Sequence, residues 1–180
     1  MLSTTEKHKS ILVKAITKIA KSRLTSKNAV TVRQFINNYY SNVALSDLDD
    51  SSPEKLFGAV LAQWKLAAKR QSGKALVRVY NPNLEEAGWD CEHTIIEIIN
   101  DDMPFLVDSI TSELNRRKLT MHLVMHPVIT VLRSKNGKME GLVPVSNPSP
   151  RAISESYMHL QITKQSDKQL VEICKGIEKV

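Results

Sequence analysis

The best candidate for chemistry in this sequence is a short acidic turn between a predicted strand and a predicted helix. Asn100, Asp101, Asp102, Met103 and Pro104 follow an apolar run and precede a helical pattern. A helix N-terminus offers backbone N–H groups without intrahelical partners, and these can receive the carboxylate of a small ligand. The aspartates place negative charge where an anion would lie, and Asp102 is a candidate helix cap. The residues therefore predict either an effector-binding turn or a capped joint.

The histidines and cysteines lack the spacing of a metal centre. His122 and His126 share a face of one predicted strand, but four residues of strand rise separate them by about 13 Å. One ion cannot bind both across that distance. Cys91 and His93 stand at i and i+2, and no second pair follows at ligand spacing. We expect no metal site, and two cysteines outside any CxxC pattern indicate a reduced, cytoplasmic protein.

The sequence also lacks the patterns of nucleophilic catalysis and of nucleotide binding. It contains no GxSxG, no GxGxxG and no Walker A loop, and it has six glycines in all. These patterns place a strained nucleophile or a phosphate-binding backbone loop, so their absence argues against both functions. We expect no catalytic residue and no cofactor-binding residue in this chain.

The net charge of +6 is concentrated at the N-terminus. Residues 1–40 hold eight Lys and Arg against one acid, Glu6, whereas residues 41–180 hold 17 bases and 18 acids. A lysine-rich helix can contact phosphates, but without interleaved aromatic residues this pattern is more typical of a solvated helix face. The apolar runs are too short for a membrane span or a signal peptide. We expect neither a nucleic acid nor a membrane as partner.

Helical periodicity dominates the first 72 residues, which we predict to form a small bundle (domain 1–72). Apolar residues recur at three- and four-residue steps over 4–23 and 30–40. Ser52 followed by Pro53 predicts the cap of a third helix that runs to about Gln71 and ends at Ser72-Gly73.

From Lys74 the period changes to two, and we predict an α/β domain over 73–180. Strands are predicted at 75–80, 93–100, 120–132 and 156–163, with a short edge strand at 142–144 after the Asn136-Gly137 hairpin turn. One helix follows the acidic turn with Leu106, Val107, Ile110 and Leu114 inward, and Ser166 caps a last helix.

This order of elements predicts the fold class. Its core, βαββα, is typical of a split-βαβ (ferredoxin-like) antiparallel sheet with two helices on one face. That fold normally has one more strand after the second helix. We predict that residues 75–80 fill the open edge by pairing antiparallel with residues 93–99. The fold class is therefore α+β, with a helical bundle before the sheet.

Several stretches are specific enough to compare with known families. They are VRVYNP at Val77–Pro82, the turn Glu85–Trp89, NDDMPFLVDS at Asn100–Ser109, HLVMHPV at His122–Val128, ESYMHLQI at Glu155–Ile162 and the helical lead-in YY…DL…LFGAVLAQWKLA. Together they resemble the N-terminal region of the large bacterial NAD-specific glutamate dehydrogenases. The resemblance covers nearly the whole chain and is densest over residues 75–130.

The resemblance implies an ACT-like fold, in agreement with the order of elements. It also implies a parent enzyme that oxidises L-glutamate to 2-oxoglutarate and ammonia, with NAD bound by a downstream domain. ACT-like modules commonly assemble with one another and bind amino-acid effectors at their interfaces. The implied partners are thus the remainder of the parent chain, other subunits and an amino-acid effector.

One departure from the family pattern bears on the acidic turn. Effector-binding ACT domains typically place a Pro-Gly pair at the start of the first helix, where this sequence has Pro104-Phe105. A phenylalanine side chain either occupies the space that a ligand would use or turns inward as part of the core, and both alternatives favour a structural or assembly role. The resemblance implies a non-catalytic regulatory and assembly domain. The alternative is a free-standing amino-acid-sensing or protein-interaction module.

Overall fold

The computed structural model of the protein describes residues 4–24, 26–48, 51–144 and 149–180, and for residues 26–28 the backbone alone. The helices are α1 (Thr4–Arg23), α2 (Ser26–Ser41), α3 (Pro53–Ala67), α4 (Leu106–Arg116) and α5 (Asp167–Ile177), with a 3₁₀ turn at Leu45–Asp47. The strands are β1 (Leu76–Tyr80), β2 (Thr94–Asp101), β3 (Met121–Met125), β4 (Val128–Arg133), β5 (Met139–Leu142) and β6 (Ala152–Ile162). None of the described helices combines the length and apolar content needed to cross a membrane.

The predicted N-terminal bundle forms from α1, α2 and α3. Their buried residues include Ile16 of α1, Phe35 and Tyr39 of α2, and Val60 of α3. Phe35 and Tyr39 are four residues apart and so lie on one face of α2. The predicted cap of α3 is confirmed, because the Ser52 side chain accepts a hydrogen bond from the Lys55 N–H and proline occupies the first turn. Helix α2 begins at Ser26, four residues before the predicted start.

Helix α3 ends at Ala67, earlier than the predicted Gln71. The backbone beyond it pairs with a hairpin instead of continuing the helix. Met139 N–H donates to the Ala68 carbonyl at 3.0 Å, and Arg70 N–H donates to the Gly137 carbonyl at 2.9 Å. These bonds satisfy backbone groups that a longer helix would have used internally.

The sheet runs in the order β1-β2-β6-β4-β5, with β3 also paired to β6. The predicted edge pairing is confirmed, since β1 lies antiparallel to β2 from Leu76 opposite Ile99 to Tyr80 opposite Ile95. Strands β2 and β3 are both antiparallel to β6, so they run parallel to each other on its two sides. Helix α4 connects them, which is the predicted split-βαβ unit.

The prediction of one continuous strand at 120–132 is wrong, because the strand ends at Met125 and a second strand begins at Val128. Pro127 has no N–H to donate to a ladder, and its carbonyl accepts from Tyr157 N–H at 2.9 Å. Both halves, β3 and β4, pair with β6. Two other boundaries differ: β5 is residues 139–142 instead of 142–144, and β6 is 152–162 instead of 156–163. Part of the predicted loop from Ser146 lies outside the described residues.

The sheet is covered on both faces. Helices α4 and α5 pack on one face against Ile96, Ile98, Met158 and Leu160, as predicted. The bundle packs on the other face, where Tyr157 and Ile99 join its apolar core. The α+β, ACT-like prediction is confirmed. Because both faces are covered, polar residues of β2 and β6 that point toward the bundle are buried.

Candidate functional site

The predicted turn lies at the end of a central strand. Asn100 and Asp101 are the last residues of β2, and α4 begins at Leu106. The N–H of Asp102 donates to the Ser154 carbonyl at 3.0 Å, which holds the turn against the start of β6. Of the five residues predicted as one turn, Asn100 and Asp101 therefore belong to β2, and residues 102–104 lie in the connection to α4.

The prediction that Asp102 caps α4 is wrong. The N-cap position is held by Phe105, and no side chain makes a capping hydrogen bond there. The chain needs Met103 and Pro104 to change direction after β2, so the helix begins four residues beyond Asp102. A cap has to stand immediately before the first helical residue to reach the second or third N–H.

Phe105 is the unusual residue of this connection. Its backbone lies in the left-handed region, at φ 64° and ψ 7°, where an L-residue other than glycine is strained by roughly 1–2 kcal/mol. Phe105 is 76% exposed and Met103 is 48% exposed. Backbone strain and solvent exposure therefore coincide at Phe105.

Asp101, in contrast, is occupied by contacts within the chain. Its carboxylate accepts hydrogen bonds from the guanidinium of Arg70, from the Gly73 N–H at 2.6 Å and from the Ser72 hydroxyl at 3.2 Å. Partial burial opposes ionisation, but the bonds from Arg70 and Gly73 outweigh it and lower the pKa of Asp101. These hydrogen bonds therefore hold the turn against residues 70–73, which follow α3.

A buried cluster of two arginines and one glutamate lies behind that attachment. Glu155, 0% exposed, accepts from Arg70 Nη2 at 2.6 Å and from Arg133 Nε at 2.5 Å and Nη2 at 2.7 Å. The Tyr157 hydroxyl donates to the same carboxylate at 2.9 Å. Burial opposes ionisation of Glu155, yet the two guanidiniums lower its pKa. With Asp101, the cluster balances two cations with two anions, as burial requires.

The cluster also satisfies backbone groups around it. Arg133 Nη1 donates to the Ala67 carbonyl at 3.0 Å, at the end of α3, and to the Gly137 carbonyl at 2.8 Å. Gly137 has a positive φ of 78°, and a Cβ added there would lie 2.4 Å from the Arg70 carbonyl oxygen. The turn, the end of α3 and the β4–β5 hairpin are thus held by one set of charged side chains.

The histidines lie apart from this cluster. The rings of His93 and His122 have centroids 4.3 Å apart, and His126 Nε2 lies 2.6 Å from the Ser156 hydroxyl. Cys91 Sγ is 4.0 Å from His93 Nδ1. Within the described ranges, no three His, Cys, Asp or Glu side chains converge into a metal-binding group.

Two more buried polar residues face each other across β2 and β6, at the register pair Glu97 and His159. Burial lowers the pKa of His159 to about 4, and neither ring nitrogen has a hydrogen-bond partner among the described residues. Burial raises the pKa of Glu97 to about 6, although its ion pair with Arg78 acts in the opposite direction. Sequence reasoning missed these residues. The available signal was the alternation of Tyr157, His159 and Gln161 with apolar Met158, Leu160 and Ile162.

Similarity to known proteins covers most of the chain. The profile described as "Glutamate dehydrogenase, ACT1 domain" matches residues 35–177. The chain belongs to the glutamate dehydrogenase ACT1 domain family. It is 35% identical over 162 residues to an NAD-specific glutamate dehydrogenase of Halomonas elongata, and 35% identical over 133 residues to one of Pseudomonas aeruginosa.

The extent of these matches differs between the chain and its relatives. They cover 89% and 74% of this ACT1 chain but 10% and 8% of the relatives, so the chain spans about a tenth of the length of the curated relatives it matches. The ACT1 match begins inside α2 and includes α3, the acidic turn and the arginine–glutamate cluster. The buried cluster is thus part of the matched region.

Proposed function

We propose that this chain is a non-catalytic regulatory and assembly domain at the N-terminus of a large, cytoplasmic NAD-dependent glutamate dehydrogenase. In this proposal the parent chain oxidises L-glutamate to 2-oxoglutarate and ammonia, with NAD bound downstream. The observation that carries the proposal is the ACT1 match over residues 35–177, in a chain that corresponds to about a tenth of enzymes named for that activity.

The acidic turn supports the assembly part of the proposal. Exposed Met103 and the strained, exposed Phe105 form an apolar projection at the start of α4. Aromatic residues are enriched at protein interfaces. The projection packs against the remainder of the parent chain or a neighbouring subunit, while Asp101 keeps the turn in position through Arg70.

An amino-acid effector is the second proposed partner of the turn at 100–104. The first N–H groups of α4 have no capping side chain, so they remain suited to a carboxylate. Because Asp101 is already paired with Arg70, the acidic groups that oppose an anion there are Asp102 and Asp108, which lies in the first turn of α4. Calorimetric titration of the chain with a panel of amino acids tests this role. Saturable binding by one of them, tightened by Phe105→Gly because the smaller residue frees the space beside the turn, supports it, and an unresponsive panel contradicts it.

The division of the chain follows the same proposal. Residues 73–180 form the ACT-like unit, and residues 1–72 form the helical segment that covers its second face. The alternative function is a free-standing amino-acid-sensing or protein-interaction module. Sequencing the reading frame downstream of Val180 distinguishes the two. Continuation into a dinucleotide-binding loop supports the dehydrogenase proposal, and a stop codon supports the free-standing module.

We expect the purified 180-residue chain to show no glutamate-dependent reduction of NAD. Its sequence holds no dinucleotide-binding loop that could place a nicotinamide beside glutamate. The measurement is NADH absorbance at saturating L-glutamate and NAD, with the NAD-specific glutamate dehydrogenase of Pseudomonas aeruginosa as the positive control. Turnover that co-purifies with the folded chain would contradict the non-catalytic assignment.

A further inference from the structure

A cleft of about 260 Å³ lies between the bundle and strand β1, away from the acidic turn. Its walls include three basic residues, Arg23, Lys65 and Arg78, and two aromatic residues, Phe57 and Tyr80. Pockets for small molecules typically span roughly 300–1,000 Å³. At about 260 Å³ this cleft is slightly smaller than that range, so it suits a ligand smaller than those that such pockets usually hold.

The charge of the cleft has one sign. Arg23 comes from the end of α1, Lys65 from α3 and Arg78 from β1, and no side chain lining the described cleft carries a carboxylate. A concave site with walls of low dielectric strengthens the field of charges that line it. The cleft therefore attracts an anion.

Arg78 is fixed in position by the Glu97 carboxylate and by the backbone carbonyl of Ala62. Its Nε donates to Glu97 at 2.8 Å, and its Nη2 donates to Glu97 and to the Ala62 carbonyl at 3.1 Å. Among the described residues Nη1 has no partner, and the side chain is 36% exposed. A guanidinium held on one edge and free on the other is a preorganised donor for a carboxylate or another oxyanion.

The remaining walls are apolar or aromatic. The guanidinium carbon of Arg78 lies 4.6 Å from the centre of the Tyr80 ring, and that of Arg23 lies 5.9 Å from the centre of the Phe57 ring. Leu61 also lines the cleft. Such walls gain free energy by covering apolar ligand surface, which a bare inorganic ion does not offer.

We propose that this cleft binds a small organic anion, a carboxylate joined to a flat or aliphatic apolar body. The carboxylate accepts from Arg78 Nη1 and pairs with Lys65 and Arg23, while the apolar body lies against Phe57, Tyr80 and Leu61. Glu97 holds Arg78 in place and also offsets part of its charge. The site is independent of the dehydrogenase assignment and of the acidic turn.

The test uses benzoate as the probe and its neutral analogue benzamide as the control, by calorimetry on the 180-residue chain at low salt. We expect saturable binding of benzoate and at least about tenfold weaker binding of benzamide, the size of one charge-assisted hydrogen bond. Equal affinity for the two compounds, or no saturable heat with benzoate, would overturn the proposal.

Two charge reversals locate the site. Lys65→Glu places a carboxylate in the cleft wall and should weaken benzoate binding at least about tenfold. Lys168→Glu changes the net charge equally at an exposed position of α5, on the opposite face of the sheet, and should change the affinity less than twofold. Equal losses in both variants would assign the effect to net charge and refute the site.

The variant Glu97→Gln is expected to bind benzoate more tightly, and partial unfolding would not cause such a gain. Glutamine keeps a hydrogen-bond acceptor for Arg78 but removes the negative charge, so benzoate should bind several-fold more tightly. Circular dichroism confirms that the variant is folded. An unchanged or lower affinity in the folded variant would contradict the proposed contact between Arg78 and the anion.

Discussion

At the scale of single residues, adjacent aspartates in the acidic turn have different roles. The Asp101 carboxylate binds Arg70, Gly73 and Ser72, whereas Asp102 donates its backbone N–H to the Ser154 carbonyl. The sequence pattern alone could not separate them, because both precede a helix and both are typical capping residues. The position of Arg70, which depends on where α3 ends, decides which carboxylate is paired.

We expect Asp101→Ala to lower the free energy of unfolding by about 1.5–3 kcal/mol, because it removes hydrogen bonds to a charged, buried guanidinium. Asp102→Ala should change it by less than about 0.5 kcal/mol, as for an ordinary surface substitution. Urea denaturation of both variants at pH 7 measures the difference. A loss of about 1 kcal/mol in Asp102→Ala would restore the capping interpretation.

His159 predicts an acid-sensitive fold. Its folded-state pKa of about 4 is below the ordinary value of 6.5, so the unfolded chain binds a proton that the folded chain excludes. The contribution of His159 is complete above pH 6.5 and is lost as the pH falls toward 4, by at most about 3 kcal/mol. Glu97, with its raised pKa of about 6, has the opposite dependence and loses its contribution as the pH rises from 4.5 through 6.

Comparing the wild type with His159→Gln isolates the histidine from Glu97. We expect the denaturant midpoint of the wild type to fall more steeply between pH 6.5 and pH 4 than that of the variant, because glutamine does not titrate. If the denaturant midpoints of the two proteins change in parallel with pH, protonation of the buried imidazole does not lower the stability of the fold. The comparison requires only that the variant folds at pH 7.

At the scale of elements, α4 has a left-handed residue at each end, Phe105 at φ 64° and Lys118 at φ 57°. We expect Phe105→Gly to raise the free energy of unfolding by about 0.5–1 kcal/mol, because glycine adopts this conformation without a Cβ clash. Lys118→Gly is the matched control, since glycine is the usual residue after a helix. If Lys118→Gly stabilises the chain and Phe105→Gly does not, the exposed ring contributes contacts that offset its strain.

Two elements with local signals agree with their predictions. Ser166 is the N-cap residue of α5, and the residues predicted to alternate in a strand form β1. The end of α3 could not be predicted this way, because it depends on pairing with a hairpin some seventy residues later. The break before β4 had a local signal in Pro127, which has no N–H to donate to a ladder, and the prediction of one continuous strand left that signal out.

At the scale of the whole molecule, the bundle and the sheet are joined by charge as well as by apolar packing. Arg70 follows α3, Arg133 ends β4, and both bind Glu155 on β6 with almost no exposure of the three side chains. The sequence shows three charged residues far apart and gives no sign that they meet. The pairing is recognisable only after the bundle is placed on the polar face of β6.

We expect Glu155→Gln to lower the free energy of unfolding by about 3–5 kcal/mol, because it leaves two buried guanidiniums with too little negative charge. Glu140→Gln is the control, since Glu140 is 43% exposed and lies 3.7 Å from exposed Arg151; it should cost less than about 1 kcal/mol. Guanidinium chloride denaturation measures both. A cost below 1 kcal/mol for Glu155→Gln would mean that the arginines find water or other acceptors when the glutamate is neutralised.

The β4–β5 hairpin has a consequence for how this chain can change over evolution. An Asn-Gly turn of this kind is ordinarily a surface loop that accepts inserted residues or exchange with another loop. Here the Gly137 carbonyl accepts hydrogen bonds from the Arg70 backbone N–H and from Arg133 Nη1. A Cβ at Gly137 would also collide with the backbone of Arg70. Length variation and grafted sequences therefore belong at the exposed residues 83–86, while the hairpin keeps its length and its glycine.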